Sequence, residues 1–376
     1  MAERRPYVRA ADWVRAVTVT TVVAVHSTWY MADGGHWVSS GAVLSLLHYT
    51  RESFMALTGF VLTYTLYGRP IHWVPMLLRR FRLVFFPYIL WSAVFMLLFR
   101  HFSGAGAFFV RYGINLLDGE AWFHLYYVLV TMQFYLVLPL FLLLMRWAAR
   151  RPWWVAGTAL VAQLALSTFD QYFSTSHGII QGHVSEEVWT YTGDFVMGGV
   201  AALHWPRVRD WLRGHLGTVG IISVGTAAIM LAQFFWQALV RHNLIHAEAV
   251  VQPAMIPWAL SVVVLLTAIG VRYDDALVRH PGRWQIVKWL ADLSFGIYLV
   301  HPLFLQYWTG LLSRMHWYHP SYWLDAITVG LLVTVSAVAT KLIGFTPMSP
   351  YFIGRAALPP GTGQVGVRQA KKQKLR

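Results

Sequence analysis

An eleven-residue step leads from an arginine to a histidine in the apolar run DWVRAVTVTTVVAVHSTWY, Asp12–Tyr30. At about 100° per residue, the step from Arg15 to His26 ends roughly 20° from three full turns. On a helix both side chains therefore share one face, about 16 Å apart along the axis. Ionisable groups in hydrocarbon are costly and mark function by default. His26 is too deep to snorkel, and a neutral imidazole there can take up a proton as a general base. Two uses compete for Arg15: snorkelling to the headgroups, or service to the same face. Asp12, three residues earlier, can pair with it.

Other chemistry-bearing residues recur along the chain. HYTRESFMALTGF puts Arg51 beside Glu52. Helical neighbours do not face each other, so each is expected to find a partner elsewhere or a water-filled cavity. Glu52 could pair with Arg15 or orient His26. In LLRRFRLVFFPY, Arg79 and Arg82 share a helical face. Two guanidiniums side by side suit phosphate, though the same arginines also serve as a topological stop. WFHLYYVLVTMQFYLVLPL carries His124 and Gln133. In SFGIYLVHPLF, Ser294, Tyr298 and His301 form a polar stripe, and Pro302 is expected to perturb the helix just after His301. Asp194 in YTGDFVMGG is a further intramembrane acid beside a glycine pair. No His-x3-His or HExxH spacing occurs and there is no cysteine, so no metal site is expected. G-x-S-x-G, GxGxxG and P-loop patterns are absent as well.

These residues must be held by helices. Of 376 residues, 57% are hydrophobic and 12% charged, and the mean hydropathy is +0.49. Soluble domains carry about 25% charged residues. The expectation is an all-α, polytopic membrane bundle. Ten apolar runs approach the ~20 residues that a bilayer requires: 12–31, 43–67, 83–101, 122–145, 153–168, 191–205, 216–240, 253–271, 289–309 and 323–345. With both termini cytoplasmic, 23 of the 30 Lys and Arg fall on inside segments and three on outside loops. The net charge of +14 is then topological. Its residues lie between apolar runs rather than on one face of a soluble domain, which argues against nucleic acid. The first run lacks a small-residue cleavage site and is not expected to be a signal peptide. The longest outside loop is expected at about 169–190. Residues 1–350 form the membrane domain, and 351–376 form a basic, disordered cytoplasmic tail.

Five of these segments, in order, resemble acyltransferase family 3. RAADWVRAVTVTTVVAVHS resembles its opening helix, with a basic residue, ten intervening residues and a histidine at Arg15 and His26. SFMALTGF is similar to its second-helix segment, with Thr58 where serine is common. RRFRLVFFPY matches its R-x-x-R signature through Arg79 and Arg82; the segments containing His124 and His301 resemble two later signatures. The resemblance spans roughly residues 10 to 305. It implies about ten helices and transfer of an acyl group, often acetyl from acetyl-CoA, to hydroxyls of extracytoplasmic glycans, lipids or antibiotics. It makes Arg79 and Arg82 candidates for the phosphates of acyl-CoA, and His26 the candidate base.

The expected activity is O-acyl transfer from cytoplasmic acyl-CoA to a glycan or lipid-linked saccharide across the plasma (inner) membrane. Catalytic candidates are His26, Glu52 and Arg15. Asp12, His124, Asp194, Tyr298 and His301 are further site candidates. Whether transfer is direct or passes through a covalent intermediate on His26 is open at this level. The alternative is a transporter or flippase for a glycolipid, which buried charges among ten helices also fit. A transporter of an uncharged glycan has no need of the Arg79/Arg82 pair.

Overall fold

The computed structural model describes residues 5–32, 37–173 and 184–355. Among them the chain is helical and without strands. The amino-terminal half comprises α1 (Arg9–Met31), α2 (Val38–Leu47), α3 (Thr50–Leu66), α4 (Trp73–Phe99), α5 (Ala105–Asp118), α6 (Tyr126–Ala148) and α7 (Pro152–Phe173). The remainder comprises α8 (Thr192–Leu203), α9 (Trp205–Gly214), α10 (Leu216–Phe235), α11 (Leu244–Ala247), α12 (Met255–Arg272), α13 (Asp274–Arg279), α14 (Pro281–Arg314), α15 (Tyr322–Gly344) and α16 (Ser349–Phe352). The tail expected after 350 lies outside the described residues from 356 onward, as does 174–183 of the loop expected at 169–190.

Six helices among the described residues are long and apolar enough to cross a membrane: α4, α6, α10 with its π-helical end to Val240, α12, α14 and α15. α1 is not among them. Its length suffices, but Arg15, His26 and a series of hydroxyls lower its hydropathy. Thr20 and Thr21 return their hydroxyls to the carbonyls of Ala16 and Val17, which satisfies them within the helix.

Three expectations change. The second apolar run is not one helix: the chain breaks at His48–Tyr49, so Arg51 and Glu52 fall in the first turn of α3. The third run begins earlier than its hydropathy suggests, at Trp73, because the amphipathic segment carrying Arg79 and Arg82 continues directly into the apolar one. The other expected runs each coincide with a helix, and α14 continues through Pro302 without interruption.

α1 is the hub of the bundle, packing against α3, α12, α14 and α15. α3 and α8 come together through glycines: a Cβ on Gly59 would strike the Phe195 carbonyl, and one on Gly198 the Ala56 carbonyl. Small residues at such positions allow backbone-to-backbone contact, which substitutes in lipid for hydrophobic driving force. The turn between α5 and α6 is held by an aromatic wall. Trp122 stacks on Phe95 at 5.3 Å, and Phe95 meets the edge of His124 at 5.2 Å.

Candidate active site

A cavity of about 470 Å³ opens where α1, α3 and α14 meet the turn before α6. His26, Arg51, His124 and Tyr298 line it, together with the rings of Phe123 and Tyr126. His26 is half-buried at this wall, and His301 lies behind it, fully buried.

The two histidines form a dyad. His26 Nδ1 and His301 Nε2 are 2.7 Å apart. The ring planes are parallel and the centroids 5.0 Å apart. A nitrogen contact so much shorter than the centroid distance means that the rings meet edge to edge, not face to face. An in-plane N–H thus meets an in-plane lone pair. His301 Nδ1 lies 3.0 Å from the carbonyl of Ile297. A carbonyl only accepts, so Nδ1 of His301 bears the proton and Nε2 of the neutral ring accepts. His26 Nδ1 is therefore the donor, and its Nε2 is left unprotonated. That nitrogen has no hydrogen bond among the described residues, and its ring lines the cavity. The polar stripe explains the arrangement. Ser294 is spent on the Ala291 carbonyl, Tyr298 donates its hydroxyl to the His124 carbonyl, and His301 reaches His26.

The carbon framework of α1 is clamped just beyond His26. Ser27 and Thr28 donate to the two carboxylate oxygens of Asp325 at 2.5 and 2.7 Å. Asp325 is missed by the motif reading, although an acid at the start of the last apolar run, facing consecutive hydroxyls after His26, was a visible signal. His48, which also lines the cavity, is missed because the helix break that turns it inward is not apparent from hydropathy.

Glu52 corrects two expectations. It neither pairs with Arg15 nor touches His26. Instead it contacts its own neighbour: Arg51 Nη2 lies 3.2 Å from Glu52 Oε1. Both sit in the first turn, where long side chains can fold along the helix end. Arg51 also donates to the Val250 carbonyl at 2.5 Å and to the Tyr191 hydroxyl at 3.4 Å. Arg51 therefore lines the cavity, with Glu52 behind it as counter-charge.

Arg15 and Asp12 stand apart, at the other end of α1. Arg15 Nη1 lies 3.7 Å from Asp12 Oδ1, and Asp12 also accepts from the Tyr7 hydroxyl. Neither lines the His26 cavity. Asp194 is elsewhere again, fully buried and fixed by Gln163, whose Nε2 donates at 2.8 Å and whose Oε1 accepts from the Asp194 amide.

Arg79 and Arg82 come together at a second cavity, of about 890 Å³, formed by α4, α14, α15 and the segment around α16. It lies along α14 from the first: Asp292 lines one and Tyr298 the other, about 9 Å apart by helical rise. Among the described residues no group of three or more His, Cys, Asp or Glu could hold a metal ion.

An apolar helical bundle with a buried, tautomer-fixed base and a separate cationic cavity is the architecture of a multi-pass membrane enzyme. The acyltransferase domain family model, Acyl_transf_3, matches residues 8–343, and the chain belongs to this family of membrane acyltransferases. No curated protein and no solved structure matches it significantly.

Proposed function

We propose that the protein transfers an acyl group, acetyl in the simplest case, from cytoplasmic acyl-CoA to a hydroxyl of an extracytoplasmic glycan or lipid-linked saccharide. The observation that carries this reading is the edge-on His26–His301 pair, which leaves an unprotonated nitrogen on a ring that lines a cavity. The family assignment favours acyl transfer over translocation, which has no use for such a nitrogen.

His26 Nε2 takes the proton of the acceptor hydroxyl as its oxygen attacks the thioester carbonyl carbon. Collapse of the tetrahedral intermediate breaks the C–S bond. The proton held on His26 passes to the departing sulfur, giving the ester and free coenzyme A. His301 steadies the imidazolium through the same 2.7 Å contact. Arg51, with Glu52 as its counter-charge, and Tyr126 supply polar groups at the cavity wall, and the Phe123 ring offers a flat apolar surface for the C–H face of a sugar. The donor's phosphates bind Arg79 and Arg82 in the larger cavity, with the acyl arm reaching along α14. On this reading that cavity opens to the cytoplasmic side of a plasma (inner) membrane. The reading takes ten spans with cytoplasmic termini, which the distribution of Lys and Arg favours.

The test is acyl transfer by purified His26→Ala. General-base catalysis supplies about 10²–10⁴-fold, so kcat should fall by at least that lower bound while the protein remains folded. A folded His26→Ala protein with wild-type transfer would sink the assignment.

A further inference from the structure

The larger cavity has a second cationic wall that the R-x-x-R signature does not include. Arg79 and Arg82 enter from α4. Lys341 enters from the end of α15, and Arg355 from the chain after α16. Asp292 is the one acid among the lining residues described, and it is shared: Lys288 Nζ lies 3.0 Å from one of its oxygens and Arg355 Nη2 3.5 Å from the other. The cavity therefore keeps a strong positive excess.

The position of Arg355 is built rather than incidental. Trp91 Nε1 donates to the Phe352 carbonyl at 2.8 Å, and Tyr351 packs edge-on against Phe86 at 5.3 Å. Gly354 has φ of +63°, and a Cβ there would strike the Leu83 carbonyl. Only glycine fits that turn. The segment is thus pinned to the very helix that carries Arg79 and Arg82, and it presents Arg355 at the cavity mouth. Arg355 lies past residue 343, where the family match ends.

We propose that Lys341 and Arg355 complete the donor site, so that the donor is held by phosphate groups at two places rather than one. The proposal rests on the reading of acyl-CoA as donor. That molecule carries a diphosphate and a separate 3′-phosphate, and two cation pairs on different walls suit such a ligand. Asp292 holds Arg355 in place until a phosphate takes its guanidinium, an exchange that is cheap because the ion pair is exposed.

The experiment titrates coenzyme A into the full chain in nanodiscs of zwitterionic phosphatidylcholine. Arg355→Gln and Lys341→Gln should each raise Kd about tenfold, as loss of a charge-assisted phosphate contact does. Their melting temperatures without ligand should stay at the wild-type value, and Arg355→Lys should recover part of the affinity. Tight coenzyme A binding by the wild type with equal binding by Arg355→Gln would overturn the proposal and leave the donor reading intact. No binding by the wild type would remove the donor reading and the proposal together. Unchanged coenzyme A affinity in Arg355→Gln, together with loss of anionic phosphatidylglycerol retained by the wild type when both are first incubated with it in detergent and analysed by lipid mass spectrometry, would assign the cations to lipid headgroups and would also overturn it.

Discussion

The role of His301 can be separated from that of His26 by giving its nitrogen a substitute. In the structure His301 Nε2 accepts from His26 Nδ1 at 2.7 Å, while its own Nδ1 is tied to the Ile297 carbonyl. His301→Leu fills the space but leaves the His26 N–H with no acceptor. A buried donor without a partner costs about 1–3 kcal/mol. His26 escapes that cost by moving the proton to Nε2 or by turning its ring, and either change removes the base from the cavity. At 1.36 kcal/mol per tenfold in rate, the expected loss in kcat is about 5- to 160-fold. His301→Gln offers a carbonyl oxygen near the place of Nε2 and should recover most of that loss. The assay is steady-state acyl transfer with donor concentration varied. KM for the donor should hardly move, because His301 lies outside the Arg79/Arg82 cavity. The reasoning is refuted if Leu and Gln are equally impaired, or if Leu retains wild-type kcat.

Two further outcomes follow from other parts of the fold. Asp325→Ala leaves the hydroxyls of Ser27 and Thr28 without their acceptors; at about 1–3 kcal/mol for each orphaned group, the melting temperature should fall measurably, with Asp325→Asn in between because one oxygen remains. Glu248 lies in the connection between α11 and α12, where burial pushes its carboxyl from the ordinary 4.5 up to about 7. The folded state then binds the proton more tightly than the unfolded one, so stability is greatest below about pH 4.5 and declines as pH rises toward 7. Melting curves across that range should show the decline in wild type and a flatter profile in Glu248→Gln.

The long apolar helices were legible in the sequence because hydropathy reads such runs directly, whereas the shorter α5 and the polar α9 fell outside the expected runs. The pairing of helices was not legible. Arg15 and His26 do lie on one helix, as their spacing requires, yet only His26 reaches a cavity. The difference comes from α14: its polar stripe meets α1 at His26, while Arg15 lies beside Asp12 at the other end of the helix. Glu52 was misread for a local reason. The rule that adjacent residues point apart holds inside a helix. The break at His48–Tyr49, invisible in an unbroken apolar run, puts the pair in a first turn where they touch. Asp325 and Arg355 escaped because their meaning depends on partners some 300 and 60 residues away, which no spacing within the chain displays.

Under the proposed function, the separation of the two cavities follows from the chemistry of the two substrates. Coenzyme A is a polyanion and the acceptor a neutral hydroxyl. A single cavity lined by the cations that hold phosphate would also surround the base with positive charge, which opposes protonation of an imidazole. Setting the cations of the larger cavity at Arg79, Arg82, Lys341 and Arg355 removes them from His26 while α14 spans both places. That helix keeps the two in register without a hinge. Between them, Gly296 packs against Thr340, whose side chain occupies the space a Cβ would take. α14 and α15 are therefore in close contact at this crossing. Under the proposed function, an acyl arm anchored by phosphate in the larger cavity reaches along α14 to a base whose proton placement His301 sets.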